Sequence, residues 1–212
     1  MAVTRIKGVN TLEGGQYEEL ILGGVVTANG DLKASSVEIG GVVTLNGSLE
    51  SDSFIKIGGV VTANQALRAK TMEVGGVVTL HGGVEADVIQ IRGVVTAKQQ
   101  VSADLVESRG VFSAEEVVGD RVIIHCVDKT ESNGRGLFHW LRKWNEKRTV
   151  QPRVGTIEAT EIDVDGIRAD NLNGQNIVIG PRCIVENVDC SGRLAIAPGA
   201  VVKYINGQAY TK

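Results

Sequence analysis

The chain has 212 residues, with 22 Lys and Arg against 25 Asp and Glu and a formal net charge of −3. A nearly balanced charge with both signs interspersed builds no general field for a nucleic acid, so no nucleic-acid partner is expected. Only 4% of the residues are aromatic while 27 are glycine, and no run approaches the roughly 18 apolar residues that a membrane span requires.

The polar start, Met1 to Gly8, lacks the apolar stretch of a signal peptide, which makes the cytoplasm the expected compartment. Val9 and Tyr17 fall one period ahead of Val26 and Ala34, and Leu20 and Leu22 one period ahead of Val37 and Ile39, so the repeats are expected to begin near Gly8. Then Gly24-Val25-Val26-Thr27-Ala28 returns at Gly41, Gly59, Gly76 and Gly93, with a worn copy at Gly110, in steps of 17, 18, 17, 17 and 17 residues. A fixed short period is the signature of a solenoid.

Counted from each Gly, apolar residues recur at plus eight (Leu32, Leu49, Leu67, Val84, Val101, Val118) and as alanine at plus ten (Ala34, Ala69, Ala86, Ala103). Plus thirteen (Val37, Met72, Ile89, Val106, Ile123) and plus fifteen (Ile39, Val74, Ile91) complete the pattern. Gaps of two separated by jumps of three or four describe three short strands joined by tight corners, and no helical spacing fits. The predicted fold class is all-β: a triangular, single-stranded parallel β-helix of 17-residue coils. The extra residue of the long coil is expected in Ser51–Ile57 as a bulge. The corner glycines are expected to supply a permissive backbone, and the alanine column a narrow wall.

The first run of coils is placed at residues 1–126. Residues 127–153 break the period, and Leu137, Phe138, Trp140, Leu141 and Trp144 form one apolar stripe beside Arg142, Lys143, Lys147 and Arg148. That spacing predicts an inserted amphipathic, basic helix closed by Pro152. It can cover the rod, bind a protein partner, or lie on an anionic membrane surface. Coils then return over residues 154–205, with Ile162, Ile179 and Ile196 spaced by 17 and Ile167, Ile184 and Val201 likewise. About ten coils result, followed by a tail, residues 206–212, that is expected to fray.

Candidate chemistry is sparse. Three cysteines, Cys126, Cys183 and Cys190, match no disulfide or zinc spacing and read as core thiols. No phosphate-binding loop occurs, and Glu38, Glu50, Glu73, Glu85 and Asp87 are scattered without a calcium pattern, so no cofactor or metal is expected. His81 and His125 are the general-base candidates for a hexapeptide-like β-helical acyltransferase, but neither has a partner nearby in sequence. Thr27, Thr44, Thr62, Thr79 and Thr96 form an outward ladder of the kind found in ice-binding β-helices, here as a single column. Neither catalysis nor ice binding is the preferred expectation.

The Gly-Val-Val coils, Val84-Glu85-Ala86-Asp87-Val88-Ile89, and the closing Ile179-Gly180-Pro181-Arg182-Cys183-Ile184 and Ala195-Ile196-Ala197-Pro198-Gly199-Ala200 resemble the bactofilins, the bacterial polymer-forming cytoskeletal proteins. The resemblance covers nearly the whole chain apart from the insertion. It implies a right-handed helix and assembly into end-to-end filaments without nucleotide. It also implies a non-enzymatic scaffold that positions cell-shape, cell-wall or motility machinery at the inner face of the membrane. The polar start departs from the hydrophobic N-terminal peptide common in that family, which moves any membrane contact to the insertion. The ends of a β-helix carry unpaired strands, so Val9, Leu20, Leu22, Leu194, Val201, Val202 and Tyr204 are the expected polymer contacts, with the chain itself as principal partner.

Overall fold

A computed structural model describes residues 2–126 and 151–210. The described residues form eighteen strands, β1 (Val3–Ile6) to β18 (Gln208–Ala209), all in one sheet that winds into a parallel solenoid of about 11 turns. At about 4.8 Å per turn the rod is about 50 Å long.

One turn shows how the sequence builds the whole. β4 (Val25–Ala28) and β5 (Leu32–Ile39) contribute six inward side chains, Val26, Ala28, Leu32, Ala34, Val37 and Ile39, all buried. Alternation is strict within each pair and breaks at Ser35-Ser36, where the chain bends without leaving the strand. Three walls per turn follow: 25–28, 32–34 and 36–39. Each residue pairs in register with its equivalent one turn on, Val26 with Val43 and Leu32 with Leu49. The core is therefore six stacked columns, and each turn is stabilised by its two neighbours.

The glycine pairs divide their labour in a way the repeat conceals. Gly24, Gly41, Gly59, Gly76, Gly93 and Gly110 are not among the residues with positive φ, so conformational freedom is not why glycine stands there. A Cβ at Gly76 would run into the carbonyl oxygen of Gly59, and the same holds along the column from Gly8 to Gly110. Close backbone stacking demands glycine. The preceding glycine is under no such demand: around Gly23, Gly40, Gly58 and Gly75 nothing lies nearer than 3.8 Å, and Arg92 and Arg109 occupy the same place in later turns.

Departures from the 17-residue step occur at corners and bulges. The long coil bulges between Glu50 and Phe54, as expected, and the Ser51 hydroxyl seals it by donating to the carbonyls of Ser35 (3.1 Å) and Phe54 (2.9 Å). Between Ala97 and Gln100 the register shifts by one, because Glu115-Glu116 makes a shorter corner than Lys98-Gln99-Gln100. Val117, Val122 and Ile124 consequently face inward, correcting the assignment of Val118 and Ile123 to the core.

A second correction concerns the closing coils: Ile179 pairs with Ile196 and Ile184 with Val201 as the spacing implies, but Ile162 pairs with Ile177, and Ile167 shares the inward column of Cys183. The cause is the two-residue corner Asp165-Gly166, one residue shorter than Gly180-Pro181-Arg182, together with the equally short corner Asp170-Asn171, while the extra residue at Ser191-Gly192 restores the 17-residue step from Ile179 to Ile196.

The boundaries shift as well. β1 pairs with β3 (Gly15–Leu22), so the rod begins at Val3 and not near Gly8. The predicted helix and its residues, Leu137, Phe138, Trp140, Leu141, Arg142, Lys143, Trp144, Lys147 and Arg148, lie outside the described residues. Pro152 belongs to the rod: it is buried, and its carbonyl accepts from the Arg168 N–H. The tail does not fray before Tyr210. β18 folds back antiparallel on β17 (Val201–Ile205), and the Tyr210 N–H donates to the Lys203 carbonyl.

Candidate interaction surfaces

The three walls differ sharply in what they present outward. On the wall that follows the stacked glycines, the first valine of each Gly-Val-Val points out: Val9 is 85% exposed, Val25 52%, and Val94 still 37%. Threonines alternate with them, Thr27 beside Thr44, Thr62, Thr79 and Thr96 in register. Six successive turns thus carry a two-column, uncharged Val–Thr surface. The Thr column was foreseen, whereas the valines were not, because a doubled valine reads as core. The available signal was parity: if Val26 and Ala28 face in, Val25 must face out.

The second wall is charged with alternating sign. Lys33 bonds Glu50 (2.7 Å) and Arg68 bonds Glu85 (3.2 Å), one above another. The hydrogen bond and then the charge of its partner lower the carboxyl pKa of Glu50 and raise the ammonium pKa of Lys33. At the corner between these walls, Asn46 donates to Asn29 (3.1 Å) and Asn64 to Asn46 (2.8 Å). Beside them the Asp31 carboxylate accepts from both the N–H (2.7 Å) and the hydroxyl (2.8 Å) of Ser48, which lowers its pKa.

The third wall carries Arg121–Glu161 (3.2 Å) and His125–Asp163 (3.0 Å). Asp163 is the partner for His125 that sequence distance hid. The pair is nearly half exposed and does not line the groove beside Cys190. The expected core thiols divide. Cys183 is buried, and burial raises its pKa, whereas Cys126 and Cys190 are only partly covered. Cys190 borders an open groove of about 620 Å³ where the alanine column narrows further to Gly119, Ala159 and Gly174. Among the described residues no three His, Cys, Asp or Glu side chains gather as a metal set.

At the ends, inward side chains are covered on one side only. Ile6, Leu12 and Tyr17 at the first turn, and Leu194, Ile196, Ala200 and Ile205 at the last, are half-buried against the core. Among the described residues no strand pairs beneath β1 or β2 (Val9–Leu12). At the other end β18 occupies part of one wall, leaving Leu194–Ile196 and Val201–Val202 without a partner above them.

Of the expected contacts, Val9, Val201 and Tyr204 are exposed and Leu194 half-buried, while Val202 is buried at the last turn. Leu20 and Leu22 are fully buried beneath β1, one turn inside the end. Ile6, Leu12, Ile196 and Ile205 are instead half-buried at the ends. Counting one further period outward from Leu22 and Ala28 would have found the first two. No protein-family model, curated protein or solved structure matches the chain.

Proposed function

We propose that the chain is the subunit of a filament that grows end to end without nucleotide and serves as a cytoskeletal scaffold. The observation that supports this most is the pair of unfinished ends: half-covered Ile6 and Leu12 face outward along the axis at one end, Leu194, Ile196 and Ile205 at the other, each beside unpaired strand edges. An unpaired edge above an incomplete core is a template for another copy. Joining unlike ends propagates an open filament, and joining like ends in alternation does the same through two-fold contacts.

The resemblance of the coils to bactofilins supports the same reading, with right-handed winding, the handedness that parallel crossovers adopt almost always. In this reading the lateral walls carry the recruited machinery at the membrane, and no catalytic step is involved. Electron microscopy of the purified full chain without nucleotide tests it. Filaments are expected for the wild type, and short oligomers for Leu12→Lys and Ile196→Lys. A wild-type chain that remains monomeric at high concentration overturns the proposal.

A further inference from the structure

Gly23, Gly40, Gly58 and Gly75, the glycines that the rod itself does not require, line one rim of the Val–Thr wall. All four are exposed with no positive φ, and a Cβ there meets nothing nearer than 3.8 Å. Beside them Val25, Val42, Val60 and Val77 stand 45–52% exposed. The other rim carries the uncharged ladder of Asn29, Asn46 and Asn64. A rim without side chains leaves nothing on its side to hold a flat surface away from the valines.

We propose that this wall packs face to face on the same wall of a second copy, the two rods side by side and antiparallel, with the Val60 turns at the two-fold axis. A two-fold contact needs a surface that is its own complement. Outward valines and threonines with no charge among them, in register from Val9 to Thr96, supply one. Six turns of about 4.8 Å and strands of about 13 Å give a face of roughly 400 Å² in plan. With the relief of its side chains the pair buries roughly 1,200 Å² in total, where specific interfaces begin.

The rest of the wall sets the direction. Beyond Ser113 its outward places hold Arg153, Arg168, Asp170, Glu186 and Lys203, with Arg153 paired to Asp170 and Lys203 to Glu186. Parallel rods would sandwich these charges, at the desolvation cost of burying ion pairs. Antiparallel rods lay only the uncharged turns from Val9 to Val111 on each other and carry the charged turns past the partner's first turn, into water. Valine then meets valine, and threonine meets threonine. The contact is lateral and the filament contacts are terminal, so the pairing goes beyond the scaffold reading and does not rest on it.

Thiol cross-linking of the full chain tests it. A short bismaleimide should join Val60→Cys into a covalent dimer, above the background set by the wild-type cysteines. Val25→Cys should not be joined, because four turns, about 19 Å, separate it from its equivalent in the partner. Joining at Val60→Cys should persist in the presence of Leu12→Lys and Ile196→Lys, so loss of filaments and loss of the pair are read separately. Gly40→Arg/Gly58→Arg/Gly75→Arg should keep the β-type circular dichroism spectrum, since Arg92 and Arg109 hold the same place in later turns. It should also lower the yield of joined Val60→Cys at least tenfold. No product above background at Val60→Cys overturns the proposal, as does a yield that survives the three arginines. Equal joining at Val25→Cys identifies parallel rods and overturns it too.

Discussion

The coils up to Gly110 and those after Val154 solve one problem, turning a strand by a third of a circle, in two ways. The first set stacks backbone on backbone, and from Gly24 to Gly110 its corner column needs glycine for lack of space, with no positive φ in that column. The second uses turns with a residue in the left-handed region: Gly166 (φ 70°), Arg182 (φ 63°) and Gly199 (φ 88°). Space decides the residue in the stacked column from Gly24 to Gly110, and backbone angle decides it at Gly166 and Gly199. The first solution fixes the corner length, giving even 17-residue steps. The second lets the corner vary, and the steps become irregular.

Substitutions can break or sharpen that contrast, beginning with the largest effect. Phe112 sits fully buried at the seam, where the valine column of the first half ends. Phe112→Ala should cost about 3–5 kcal/mol in urea unfolding, and a two-step melt would show that the halves uncouple there. Gly76→Ala should cost about 3 kcal/mol, because the displaced atom is backbone, whereas Gly75→Ala, in open space, should stay within about 0.5 kcal/mol. Equal costs for the two would refute the stacking account.

In the second half, Gly199→Ala meets no atom within 4 Å and should cost about 1–2 kcal/mol from backbone angle alone. Gly199→Asn should recover most of that loss. The smallest effect is acidic. Because Ser48 lowers the pKa of Asp31, its stabilisation is complete above the ordinary carboxylate range and is lost as pH falls through the lowered value. Hydrogen exchange at the Ser48 amide should therefore quicken in acid, and Asp31→Asn should remove that dependence.

Where the corner length is constant, the sequence is easily read: from Leu20 to Val106 nearly every inward position follows from alternation and period. Reading fails where one residue is gained or lost at a corner, since nothing in Glu115-Glu116 or Asp165-Gly166 announces the deletion, and each slip reverses the parity of the next strand. Val118 and Ile123 face outward for that reason, and two such losses in one turn set Ile162 against Ile177 in place of Ile179. The surfaces were less legible than the core. The Val25 column was masked by a neighbour of the same type, and the half-covered end residues by residues such as Leu20 that look like an end but have one more strand beneath them. The Gln208–Ala209 hairpin carried no periodic signal at all.

That hairpin has a geometric consequence. A three-sided prism offers three equivalent rotations to whatever is set on its end, and a symmetrical lid would accept them all. With Lys203–Ile205 already engaged by the chain's own Gln208–Tyr210, one side is occupied and the equivalence is gone. Whatever meets that end finds two walls open and one already taken.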